Sequence, residues 1–122
     1  MGVSATDLPR AVAFYELLGF RFPPIGAGED HVQTEAGRGA QLMIDTVDMM
    51  TGLLGEAPRP GNAAAFAVRC GTPQEVDAVV ARLAAAGHPV VSQPFDAPWQ
   101  QRYATVADPD GYRVDLYASL PG

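Results

Sequence analysis

Between Leu8 and Leu18 the apolar side chains fall at Ala11, Val12, Phe14, Tyr15, Leu17 and Leu18, the spacing of a helix with one buried stripe. Asp7 supplies an N-cap ahead of Leu8-Pro9, where Pro is accepted because first-turn amides lack helical partners, and Gly19 closes the other end. Around this helix the pattern changes to short extended runs. Val3 to Thr6 precedes it and Phe20-Arg21-Phe22 follows. After a loop from Pro23 to Asp30 come His31 to Glu35 and Ala40 to Asp45, joined through Gly37-Arg38-Gly39. The first half reads as βαβββ.

Thr46 to Asn62 has no clean period and ends in Pro58-Arg59-Pro60-Gly61, which reads as a linker. The order then repeats. Ala63 to Cys70 is a strand, and Thr72-Pro73-Gln74-Glu75 is a capping box with Pro at the first helical position. The helix it opens carries Val76, Val79, Val80 and Leu83 and stops at Gly87. His88 to Ser92 is a strand, Gln93 to Pro98 a loop. The chain closes with two extended runs, Arg102 to Ala107 and Tyr112 to Tyr117, flanking Asp108-Pro109-Asp110-Gly111. If Ala107 faces Tyr112, Arg102, Ala104, Val106, Arg113, Asp115 and Tyr117 share one face of this hairpin, with Tyr103, Thr105, Val114 and Leu116 on the other. The first set, with Trp99 at its entrance, reads as the lining of a pocket; the second reads as core.

Composition narrows the class. The chain has 122 residues, 48% of them hydrophobic, enough for one domain with a real core. A formal charge of −6 argues against a nucleic-acid or anionic-membrane partner. The single cysteine, Cys70, excludes an internal disulfide, and neither a signal peptide nor a membrane-length apolar run is present, so a cytoplasmic protein is expected.

The stretch from Trp99 to Tyr117, Trp-x-x-Arg, a mostly apolar run, Asp-Pro-Asp-Gly, then aromatic-x-Val-Asp-Leu-Tyr, resembles the closing hairpin of the vicinal oxygen chelate superfamily. That superfamily includes glyoxalase I, extradiol dioxygenases, fosfomycin-resistance enzymes and bleomycin-resistance proteins. Trp99, Gln101, Arg102, Tyr103, Ala104, Val106, Asp108 to Gly111 and Val114 to Leu116 are most similar to the small bleomycin- and mitomycin-binding resistance proteins, with Gln100 where a Gly is usual. The resemblance implies an α+β fold of two βαβββ modules, a curved mixed sheet forming a cup with helices outside. The modules would span about 1–50 and 63–122, joined by a linker at about 51–62. It also implies a homodimer whose cups combine modules of both subunits, with or without exchange of a segment; an exchange would have to cross at Thr46 to Asn62. Family members have about ten residues in the first strand, where this chain has barely five before Asp7.

Enzymes of the superfamily hold a divalent metal with His, Glu or Gln from strands of both modules. Carried over, the first ligand position falls ahead of Met1, the next near Gln41 or Met43, and the second module's opening His is matched by Ala63. Only Asp115 stands where the family has its final carboxylate. No cofactor is therefore expected, one divalent metal at Asp115 being the alternative. The expected function is metal-independent binding that sequesters a planar natural product or antibiotic. A metal-dependent glyoxalase-like lyase or dioxygenase, a metal-free catalyst and a dimeric accessory module are the rivals. Trp99, Arg102, Asp115, Arg113, Tyr117 and Met43 are the candidate ligand-binding residues, and no catalytic residue is assigned. Asp115 is expected to meet Arg113 along its strand and Arg102 diagonally, as an ion-pair network or a polar ligand anchor. Trp99 is either a stacking wall or a core plug. Tyr103 is assigned to the core, His31 and His88 to solvated or capping positions, Cys70 to an unactivated thiol, and Met43, Met49 and Met50 to packing or an adaptable wall.

Overall fold

The computed structural model of the chain describes residues 2–35, 41–60 and 66–121. They divide into two compact units, 1–60 and 61–122.

In the first unit, β1 (Gly2–Ala5) leads into α1 (Leu8–Leu17), capped by the Asp7 carboxylate accepting from the Arg10 amide at 3.2 Å. Gly19 leaves the helix at φ +101, a left-handed turn that suits a residue without Cβ. β2 (His31–Gln33) and β3 (Met43–Thr46) follow. The sheet order is β1-β3-β2, with β1 parallel and β2 antiparallel to β3. Val3, Val32 and Ile44 point to one side, where Phe14 and Tyr15 of α1 are fully buried. Two expectations change here. Phe20-Arg21-Phe22 makes no strand: Pro23 and Pro24 have no amide to donate, and the Arg21 carbonyl accepts one lone bond, from Glu35 N. The stretch expected to be a linker contains α2 (Val47–Leu54), nucleated by the Thr46 hydroxyl accepting from Met49 N and closed by Gly55 at φ +83. Its apolar positions crowd two turns too short to show a period. The Gly37-Arg38-Gly39 connection and the expected start of a strand at Ala40 lie outside the described residues.

The second unit follows the expected βαβββ order: β4 (Phe66–Arg69), α3 (Pro73–Ala85), β5 (Val90–Ala97), β6 (Gln101–Ala107) and β7 (Arg113–Ser119). The Thr72 hydroxyl accepts from Glu75 N at 3.1 Å, while the Glu75 carboxylate accepts from Gly71 N at 2.8 Å, so cap and return bond close reciprocally. The sheet order is β4-β7-β6-β5. Val76, Val79, Val80 and Leu83 of α3 and Ala104, Val106, Val114, Leu116 and Ala118 of the sheet are buried together as the core. Residues 63–65 of the expected strand at Ala63 lie outside the described set.

β5 runs straight through Gln93 and Pro94, which were expected to be loop. It is the sheet's edge strand and its pairing with β6 slips twice, between Val90 and Ser92 and between Ser92 and Phe95. An edge strand with bulges tolerates a proline that a central strand would reject.

The hairpin register also differs by one residue. The Asp108 carboxylate accepts from Asp110 N and Tyr112 N at 2.9 Å each, and Asp108 N donates to the Tyr112 carbonyl at 2.8 Å. Tyr112 is thus part of the turn, and Ala107 pairs with Arg113. Because side chains alternate, a slip of one residue exchanges the faces of β6 relative to β7. Ala104 and Val106 face the core, while Tyr103 and Thr105 join Asp115 on the open face.

Among the described residues no helix is long and apolar enough to cross a membrane.

Candidate functional site on the open face of the second sheet

Strand pairing arranges this face in rows. Phe95, Tyr103, Tyr117 and Arg69 are consecutive cross-strand partners from β5 to β4, and Ser92, Thr105, Asp115 and Ala67 form the next row. The first row is bulky and aromatic until it ends in a guanidinium. The second is built of short side chains around one carboxylate. Arg113 stands beyond Asp115 on β7, paired with Ala107.

Asp115 is held by hydroxyls, not by guanidinium groups. Tyr103 Oη donates to its Oδ2 at 2.5 Å and Thr105 Oγ1 donates to its Oδ1 at 2.8 Å. The bond from Tyr103 to Asp115, followed by burial and the nearby negative charge, pushes the Tyr103 phenol up to about 12. The phenol therefore stays a donor to Asp115 at neutral pH.

Trp99 sits in the tight connection between β5 and β6. Gln100 takes φ +65 there, a conformation usual for Gly, and its amide donates to the Ala97 carbonyl. The indole Nε1 donates to Gln101 Oε1 at 2.9 Å, and its ring meets Phe95 and Tyr103 edge-on at centroid distances of 6.3 and 5.4 Å. Trp99 is 54% exposed and Phe95 40% exposed. Large aromatic surface left in water is the informative kind of exposure.

The candidate residues separate. Trp99, Arg113, Asp115 and Tyr117 do belong to one face, with Tyr103 added from the positions assigned to the core. Arg102 does not: the register sends it to the opposite side, where its guanidinium donates to Asp77 of α3 at 3.0 Å and to Asp96 at 3.1 Å. The expected diagonal between Arg102 and Asp115 is therefore absent. Met43 is 39% exposed on β3 of the first unit, paired with Gly2 and Gln33.

The first unit carries a pair that its sequence did not announce. His31 lies directly across from Asp45, and its Nδ1 is 2.5 Å from Asp45 Oδ1. A cross-strand alignment found only by pairing residues 14 apart gives no local signal. The bond to Asp45 holds the imidazole above its ordinary value, desolvation opposing. A raised folded-state value means stability that is fully present below about pH 6.5 and lost as pH rises through the higher folded value. The margin by which the native chain exceeds His31→Gln should shrink by about 0.5 kcal/mol, a size set by the pair's exposure, between pH 5.5 and 9 in urea unfolding. An unchanged margin would mean that the pair does not form.

Cys70 is buried, and burial followed by the charge of Glu75 pushes its thiol up, away from nucleophilic use. A divalent metal at Asp115 would need further donors. Its cross-strand neighbours are Ala67 and Thr105, the latter already donating to it, and among the described residues no three His, Cys, Asp or Glu side chains converge. The donor set does not fit the ion.

The family model described as "Glyoxalase/Bleomycin resistance protein/Dioxygenase superfamily" matches residues 1–116, and the chain belongs to that superfamily. It is 32% identical over 117 residues to CFP32 of Mycobacterium tuberculosis, a protein named provisionally as a glyoxylase, covering 95% of this chain but 42% of the relative. This chain thus spans about two fifths of the length of that relative. Among solved structures, a glyoxalase-related enzyme from Fulvimarina pelagi matches with a TM-score of 0.81 and 25% identity over 98% of this chain and 85% of that one. A glyoxalase/bleomycin resistance protein/dioxygenase from Nocardioides matches with a TM-score of 0.73 and 28% identity, over 100% and 82%.

Proposed function

We propose that this chain is a small-molecule-binding member of the superfamily that holds a planar natural product against Trp99 without a metal. The supporting observation is the exposed aromatic cluster of Phe95, Trp99 and Tyr103 beside the short-chain row around Asp115. Aromatic edges and faces present large, rigid contact area at small conformational cost. Asp115, with its two oxygens each accepting one hydroxyl, keeps lone pairs for a donor on the ligand. Sequestration needs affinity and no turnover, and a homodimer is part of this reading.

The test is tryptophan fluorescence during titration with quinone antibiotics, in protein whose metal content and sedimentation are measured in the same preparation. Trp99 is the sole tryptophan, so its emission reports this face alone. Saturable quenching by protein free of stoichiometric metal is expected. Silence from the whole panel, with metal bound, would move the assignment to the metal-dependent lyase or dioxygenase.

A second reading, a metal-free catalyst of a small molecule, is favoured by one observation. In the His31 and Asp45 pair a carboxylate holds one ring nitrogen, the orienting contact that an acid–base histidine uses. If that reading holds, His31→Gln abolishes turnover and leaves ligand affinity intact.

A further inference from the structure

We infer that the ligand of this face is an aromatic anion, a fused ring system carrying a carboxylate or a similar planar acid, with its rings on the Trp99 side and its charge on Arg69 and Arg113. The inference rests on the reading of the face as a binding surface and adds its chemical class.

All eight basic residues of the chain are arginines, in a molecule of net charge −6. The two that stand on this face are exposed, and among the described residues neither has an ion-pair partner. Arg102, by contrast, is spent on Asp77 and Asp96. Asp115, the carboxylate between them on this face, is engaged by Tyr103 and Thr105. The uncommitted cationic groups of the face are therefore two guanidinium forks, the geometry that meets a planar acid with two parallel bonds.

The spacing agrees. Arg69 ends the row that begins with Phe95 and Tyr103, two strands beyond Tyr103. At roughly 4.8 Å per strand that separation is about 10 Å, the reach of a fused bicyclic or tricyclic ring bearing one acid group. Such a ring would lie over the short side chains of the row formed by Thr105, Asp115 and Ala67. Asp115 opposes an anion placed directly above it. Its charge, partly absorbed by two hydroxyl donors, selects for an acid group at the arginine ends and for a hydroxyl or amide donor at the centre.

The experiment compares three probes of one ring system, 2-naphthoate, neutral 2-naphthamide and cationic 2-naphthylmethylammonium, by ligand-observed NMR on the whole chain. Naphthoate should bind about tenfold more tightly than the amide in low salt and lose much of that advantage at 0.5 M sodium chloride. Arg69→Gln and Arg113→Gln, both surface substitutions, should each weaken naphthoate several-fold while leaving naphthamide unchanged. If the amide or the cation binds as tightly as the acid, or if the arginine variants weaken all three probes alike, the anionic class is wrong although the aromatic surface stands. If no probe binds, both this inference and the reading beneath it fall.

Discussion

Val106→Asp should unfold the protein. The side chain is fully buried on β6, over α3 and beside Val114, and a carboxylate there has no partner to offset its desolvation. A loss above about 4 kcal/mol is expected, which exceeds half the stability of many small domains. The neighbouring change Thr105→Val should be mild, within about 1 kcal/mol, because Thr105 lies on the open face and forfeits one hydrogen bond to Asp115. Together the pair measures the hairpin register. With Ala107 opposite Tyr112 the faces would be exchanged, Val106 would tolerate a charge and Thr105 would be the buried position. Chemical unfolding of the two variants decides between the registers: a folded Val106→Asp protein would refute the pairing of Ala107 with Arg113.

Trp99→Ala should cost ligand affinity at least about 30-fold, the equivalent of about 2 kcal/mol, and shift the melting temperature by no more than about 2 °C. The indole touches Phe95 and Tyr103 edge-on and makes one hydrogen bond to Gln101, yet over half of its surface is in water. Removing it takes little from the core and most of a ligand's stacking surface. Calorimetric titration replaces fluorescence here, since no tryptophan remains. Trp99→Phe should recover part of the affinity. A collapse of the melting temperature in Trp99→Ala would identify the indole as a plug under the hairpin and remove the wall from the proposed site.

The capped helices were legible from local chemistry alone. Asp7 and Thr72, followed by Pro in the first turn and by regular apolar spacing, put α1 and α3 where they stand, and Gly19 and Gly87 mark their exits with positive φ. The βαβββ order of the second half and the closing hairpin were legible as well, from the capping box at Thr72, the turn residues Asp108 to Gly111 and the extended runs beside them. Helix α2 was missed because two turns of Val, Met and Leu are too short for a period to emerge. β5 was cut short because proline argues against a strand wherever the strand's edge position is unknown.

Trp99, Asp115, Arg113 and Tyr117 were read as a pocket lining shared with Arg102, Ala104 and Val106; the register keeps the first four on one face and turns the other three to the opposite side. Arg102 and Tyr103 were assigned to the wrong sides together, since one error of register moves every residue of a strand. No propensity distinguishes a four-residue from a five-residue connection at Asp-Pro-Asp-Gly. The choice is made by the Asp108 side chain accepting from two amides of the turn and by the fit of Ala104 and Val106 over α3.

What the sequence alone determined, then, were the elements whose causes lie within a few residues: caps, helical stripes, turns and the alternation of strands. Tertiary structure alone decided which faces met. It aligned His31 with Asp45, gave Asp115 the hydroxyls of Tyr103 and Thr105, and turned Arg102 toward Asp77. Those partners are 14, 12, 10 and 25 residues apart, and only the packing of a sheet against its helix brings such residues into register.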